Sequence, residues 1–79
     1  MMVEIYSTPT CPFCVMAKDY FNQQGVEYVD YNVAEDQEKA SEMVQKSGQM
    51  GVPVIVIDDN IIIGFDKPRI EEILENRSK

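Results

Sequence analysis

Two cysteines, Cys11 and Cys14, are the residues of this chain best suited to chemistry, and Pro12 and Phe13 lie between them. Sulfur at that spacing can sit buried as a small apolar side chain, bind a metal, or cycle between dithiol and disulfide. A structural zinc ion takes four Cys or His ligands, and two cysteines with no histidine cannot supply them, so no metal is expected. Simple burial does not account for a proline set between cysteines where a helix begins, whereas redox chemistry does. Val3-Glu4-Ile5-Tyr6 alternates like a strand, and Val15, Ala17, Tyr20 and Phe21 recur at helical spacing, so the pair falls at a strand-to-helix turn with Cys11 as the cap. Sulfur there faces unpaired backbone N–H groups and the positive end of the helix dipole, which favours the thiolate, the attacking form. Pro12 suits the first helical position, where its missing N–H costs nothing, and Cys14 lies about one turn on, at a separation compatible with a disulfide. The expectation is that Cys11 attacks and Cys14 resolves.

The elements that must position this pair can be read along the chain. A strand over residues 3–7 leads to a helix over 12–24, stopped by Gly25 in a left-handed cap. A second strand is expected over 26–33, with Val29, Tyr31 and Val33 on one face and Tyr28, Asp30 and Asn32 on the other. A second helix is expected over 35–47, acidic at its start, with Lys46 near its end and Gly48 beyond, and a narrow stripe of Ala40, Met43 and Val44. The apolar runs Val54–Ile57 and Ile61–Ile63, joined across Asp58-Asp59-Asn60, read as a hairpin whose lack of alternation predicts burial on both faces. A last helix follows, with Asp66 as its N-cap, Pro68 in its first turn, an apolar stripe of Ile70, Ile73 and Leu74, and a frayed polar tail over 76–79. The order β-α-β-α-β-β-α predicts an α/β fold: one four-stranded mixed sheet flanked by three helices.

Seventy-nine residues make one domain, 1–79, with a core only just large enough to fold without staples. A formal net charge of −7 and no basic patch disfavour nucleic acid and acidic membrane surfaces, and no apolar stretch reaches the length of a membrane span. The first residues, Met1-Met2-Val3-Glu4, lack the basic start and long apolar segment of a secretory signal. The expected place is therefore the cytoplasm, where a lone cysteine pair is more often catalytic than structural.

Tyr6-Ser7, the Cys11-Pro12-Phe13-Cys14 run, Val52-Pro53 and Gly64-Phe65-Asp66 together resemble a glutaredoxin, in the same element order over essentially the whole chain. The resemblance implies a thioredoxin-like fold in which the bond before Pro53 is cis and the backbone of Val52 lies beside the cysteines. It implies glutathione as co-substrate, its cysteine backbone pairing with Val52 between Gly51 and Pro53, its γ-glutamyl end near Gly64, Phe65 and Asp66, and Phe13 shielding the sulfurs. It implies a monomeric glutathione-dependent oxidoreductase acting on protein disulfides and glutathionylated proteins. Three residues depart from the common pattern: Thr8 stands where relatives commonly carry Lys or Arg, Phe13 replaces the commoner tyrosine, and Ile63-Gly64-Phe65-Asp66-Lys67 replaces a Gly-Gly run followed by an Asp pair. Lys67 is a candidate for the missing cation. Gly64-Phe65 before a proline-containing helix start also resembles the glutaredoxin-like redoxins that serve ribonucleotide reductase and draw electrons from thioredoxin reductase. A third class, iron–sulfur carriers, commonly replaces the proline and second cysteine that this chain keeps.

Overall fold

The computed structural model describes residues 2–77, in the order β1 (Val3–Ser7), α1 (Pro12–Gln23), β2 (Val29–Asn32), α2 (Gln37–Ser47), β3 (Val54–Ile57), β4 (Asn60–Ile63) and α3 (Lys67–Arg77). The strands form one mixed sheet in the order β2-β1-β3-β4. The α1 crossover makes β1 and β2 parallel, with Ile5 opposite Asp30. The α2 crossover does not yield a parallel neighbour: β3 enters on the other side of β1 and runs antiparallel to it, with Ile5 opposite Ile55. The hairpin then adds β4 antiparallel to β3.

Strand alternation sorts the core into two layers. Val3, Ile5, Ile55, Ile57 and Ile62 point to one face, where Ala17 and Phe21 of α1 and Ile70 of α3 cover them. Tyr6, Val54 and Val56 point to the other, against Met43 of α2. Burying one such large aliphatic side chain is worth about 1.5–3 kcal/mol, so these rows hold the helices in place.

Several expected boundaries shift for local reasons. β2 covers only residues 29–32, because pairing with β1 begins at Glu4 opposite Val29; Val26 and Tyr28 lie before the strand and pack on the α1 face. α2 starts at Gln37 rather than residue 35, because the Asp36 side chain accepts the Lys39 N–H at 3.1 Å and caps the helix. The hairpin turn is shorter than expected: Asn60 pairs with Ile57, and Asp58 takes a positive φ of 53°. β4 is not buried on both faces, since Ile62 is 2% exposed while Ile61 and Ile63 are 39% and 53% exposed, as an edge strand allows. Asn76 and Arg77 belong to α3, and Ser78 and Lys79 of the expected frayed tail lie outside the described residues. Among the described residues no helix is long and apolar enough to cross a membrane.

Candidate active site

The end of β1 delivers the chain into a turn in which the Cys11 N–H donates to the Thr8 carbonyl at 3.3 Å, and α1 starts immediately afterwards. Cys11 is the N-cap, with extended backbone (φ −94°, ψ 109°), and Pro12 opens the helix. The Cys11 sulfur takes the place of a capping oxygen: it accepts the Cys14 N–H at 3.2 Å, one of the donors a helix start leaves without a partner. Both cysteines are free thiols, but their settings differ. Cys11 is half-buried, whereas Cys14 is 0% exposed. Burial pushes the Cys14 thiol well above the ordinary range. Its hydrogen bond to Cys11 and the Cys11 charge push the same way, while the Thr8 backbone N–H and the Lys18 ammonium pull it down. The arrangement offers one reachable sulfur and one guarded sulfur, a pairing able to carry out two successive exchange steps.

A second segment of interest follows the loop after α2. Gly48 ends α2 in the left-handed conformation (φ 76°), its N–H donating to the Val44 carbonyl at 2.7 Å. The Ser47 hydroxyl donates to the Met43 carbonyl at 2.7 Å and accepts the Gln49 N–H at 3.2 Å, which fixes the direction in which Met50 and Gly51 leave the helix. The Val52–Pro53 bond is cis, as the resemblance implies. Pro53 is buried, and the Val52 side chain packs toward the α2 layer. The Gly64 N–H donates to the Pro53 carbonyl at 2.8 Å, so the two segments expected to hold a ligand are joined by their backbones. Gly64 has φ 78°, a conformation that L side chains rarely adopt. Phe65 is half-buried, its ring 6.0 Å from that of Tyr20, and Asp66 is exposed, its carbonyl accepting the Ile70 N–H at 3.0 Å at the start of α3.

A protein-family comparison matches residues 3–62 to the family described as glutaredoxin. The chain belongs to the glutaredoxin family. It is 50% identical over 74 residues to a glutaredoxin-like 8.6 kDa protein in the rubredoxin operon of Clostridium pasteurianum, covering 94% of this chain and 99% of that one. It is 39% identical over 64 residues to glutaredoxin 3 of Escherichia coli K12, covering 81% of this chain and 77% of that protein. Among solved structures, the glutaredoxin-like NrdH-redoxin of Escherichia coli matches with a TM-score of 0.81 and 26% identity, over 92% of this chain and 95% of that one. The fold is thioredoxin-like, and the family chemistry is thiol–disulfide exchange.

This member of the glutaredoxin family also carries a linked polar set, Ser7, Asp30 and Lys18, to which the sequence reading assigned no joint role. Ser7 is 2% exposed, and its hydroxyl donates to Asp30 Oδ1 at 2.6 Å. The other oxygen of Asp30 pairs with Lys18 Nζ at 2.7 Å. Two signals for this set were present: Ser7 shares the inward face of β1 with Val3 and Ile5, and Lys18 lies four residues after Cys14, on the same face of α1. Lys67 instead spans its own helix to Glu71 at 3.9 Å and lies 5.6 Å above the Tyr20 ring. Phe13 and Met16, on α1 with the pair, are 59% and 49% exposed, and Met50, in the loop after α2, is 81% exposed. A hollow of about 680 Å³ lined by Asp30, Asn32, Glu35, Asp36 and Glu38 includes neither cysteine. Among the described residues no group of three or more His, Cys, Asp or Glu side chains could hold a metal ion.

Proposed function

We propose that the chain is a cytoplasmic, monomeric, glutathione-dependent thiol–disulfide oxidoreductase in which Cys11 is the nucleophile and Cys14 the resolving thiol. The observation that carries this reading is the Cys14 N–H directed at the Cys11 sulfur at 3.2 Å, with Cys14 itself buried one turn behind. In the first step the Cys11 thiolate attacks one sulfur of a substrate disulfide; a Cys11–substrate bond forms, and the other sulfur leaves as a thiolate that takes up a proton. Capture removes the negative charge of Cys11 and its claim on the Cys14 proton, so two influences that hold Cys14 as a thiol disappear together. Cys14 then attacks Cys11, the Cys11–Cys14 disulfide forms and the second substrate thiol is released. With a glutathionylated protein, a second glutathione can instead attack the Cys11 adduct, and Cys14 is not required.

In this reading Val52 pairs with the backbone of the glutathionyl cysteine, with Gly51 and Pro53 framing it. Gly64, Phe65 and Asp66 receive the γ-glutamyl end, and Phe13 covers the sulfurs. The Gly64-to-Pro53 hydrogen bond supports the grouping by making one surface of the two segments. Asp66 is placed to meet the ligand ammonium with a charge-assisted bond.

A second reading, a redoxin recharged by thioredoxin reductase that donates electrons to an enzyme such as ribonucleotide reductase, is favoured by a specific pair of observations. The NrdH-redoxin structure matches at 26% identity over 92% of this chain, and Thr8 supplies no cation beside the cysteines. One assay separates the two donors: reduction of hydroxyethyl disulfide with glutathione, glutathione reductase and NADPH, or with thioredoxin reductase and NADPH. Turnover in the first mixture is expected, and turnover only in the second would overturn the preferred donor.

A further inference from the structure

Cys14 must lose its proton to attack, yet it is enclosed, and the cation whose charge favours its thiolate is Lys18, one helical turn further along α1. A flexible lysine would ordinarily point its ammonium to water, but this one is tethered. Lys18 Nζ lies 2.7 Å from Asp30 Oδ2 on β2, and Asp30 Oδ1 accepts the hydroxyl of buried Ser7 on β1 at 2.6 Å. The chain Ser7–Asp30–Lys18 thus links β1 and β2, on the face that α1 covers, to α1 itself, where Lys18 lies four residues after the resolving cysteine. Lys18 keeps 24% of its side-chain surface in contact with solvent, so the charge is shielded only in part.

We propose that Lys18 is a positioning residue for the resolving step, its ammonium fixed by Asp30 and Ser7 so that the Cys14 thiolate can form inside the fold. This rests on the two-step reading above. The step balances without any further reactant: the Cys14 thiol and the Cys11–S–S–R adduct become the Cys11–Cys14 disulfide and R–SH. The Cys14–Cys11 bond forms, the Cys11–R bond breaks, and the leaving sulfur takes the electron pair and a proton. In the dithiol the groups that act on Cys14 are Cys11 and Lys18 of α1 and the Thr8 N–H after β1, with Asp30 of β2 acting through Lys18; in this step the Cys11 influences are gone, and Lys18 and Thr8 remain. β3 and α3 bring Ile55 and Ile70 to the same face of the sheet.

The test is the rate at which the reduced protein, given one equivalent of glutathione disulfide, forms the Cys11 adduct and then releases its glutathione, followed by rapid quench and mass spectrometry from pH 6 to about 9. A neighbouring opposite charge moves a thiol by about one unit or more, and the accompanying rise in nucleophilicity offsets nearly half of that in rate. Lys18→Met should therefore slow release about three- to tenfold at neutral pH and displace the rise of rate with pH upward by about one unit. Lys18→Arg, which keeps the charge and the Asp30 pairing, should recover most of the rate. Release as fast in Lys18→Met as in the unaltered protein, or equal loss in both variants, would overturn the proposal. Failure of the unaltered protein to form any glutathione adduct on Cys11 would overturn the functional reading and this inference with it.

Discussion

Cys11 and Cys14 are the same chemical group in different surroundings, and the difference decides their order of action. One is reachable and receives a backbone N–H; the other is enclosed, and burial first, then its neighbour, favours its thiol form. A shift of one unit changes the thiolate fraction about tenfold, so a limiting amount of iodoacetamide at neutral pH should modify Cys11 at least about tenfold faster than Cys14. Peptide mapping after partial alkylation checks this, and equal labelling would remove the asymmetry. The pair and its spacing were legible from the sequence because sulfur is rare here and the proline marks a helix start. The Ser7–Asp30–Lys18 set was not, because a serine, an aspartate and a lysine far apart in sequence look like surface residues until strand pairing brings Ser7 opposite Asn32 and beside Asp30.

At the scale of elements, the helix signals were the most reliable, because caps are local. Gly25 takes the left-handed conformation expected of it, and Gly48, expected just beyond α2, takes it too. A Cβ at Gly48 would meet no atom within 4 Å, so Gly48→Ala tests backbone conformation alone and should cost about 1–2 kcal/mol in chemical denaturation. Strand extents were less legible, since β-branched residues mark strand material while the partner strand decides where pairing stops, as at Val29. α2 is also fastened by a polar cluster that sequence periodicity did not reveal. The Tyr6 hydroxyl donates to Glu42 Oε1 at 2.8 Å, Lys39 reaches Oε2 at 3.1 Å, and Lys46 lies 3.2 Å from both the Tyr6 hydroxyl and Glu42. The Tyr6 hydrogen bond first, then those from Lys39 and Lys46, hold the Glu42 carboxyl down at about 2, against about 4.3 in an unfolded chain. A carboxyl with a depressed folded value stabilises the fold fully above its unfolded value, and that contribution is lost as pH falls toward the folded one. The urea midpoint should therefore fall between about pH 4.5 and 2, and fall less steeply in Glu42→Gln. Parallel slopes for the two proteins would show that Glu42 contributes nothing.

Across the whole molecule, the sheet divides a small core into two layers, and the cysteine pair lies at the start of α1, just after β1. Stability at this size is about 4–12 kcal/mol, so single core contacts carry a large share of it. Ile70, fully buried, anchors α3 beside α1, and Ile70→Ala should cost about 2–5 kcal/mol by chemical denaturation. The overall architecture was legible because the element order admits few arrangements, although the antiparallel entry of β3 beside β1 required long-range pairing that no local pattern encodes. The cis Val52–Pro53 bond was reached only through the family resemblance, since residues around an X-Pro bond do not reveal its isomer. The most direct test of the account compares Cys11→Ser with Cys14→Ser in two assays, reduction of a glutathionylated peptide and reduction of a protein disulfide, each supplied with glutathione, glutathione reductase and NADPH. The account predicts that Cys11→Ser loses both activities and that Cys14→Ser keeps the first while losing the second; a Cys11→Ser protein that still turns over either substrate would contradict it.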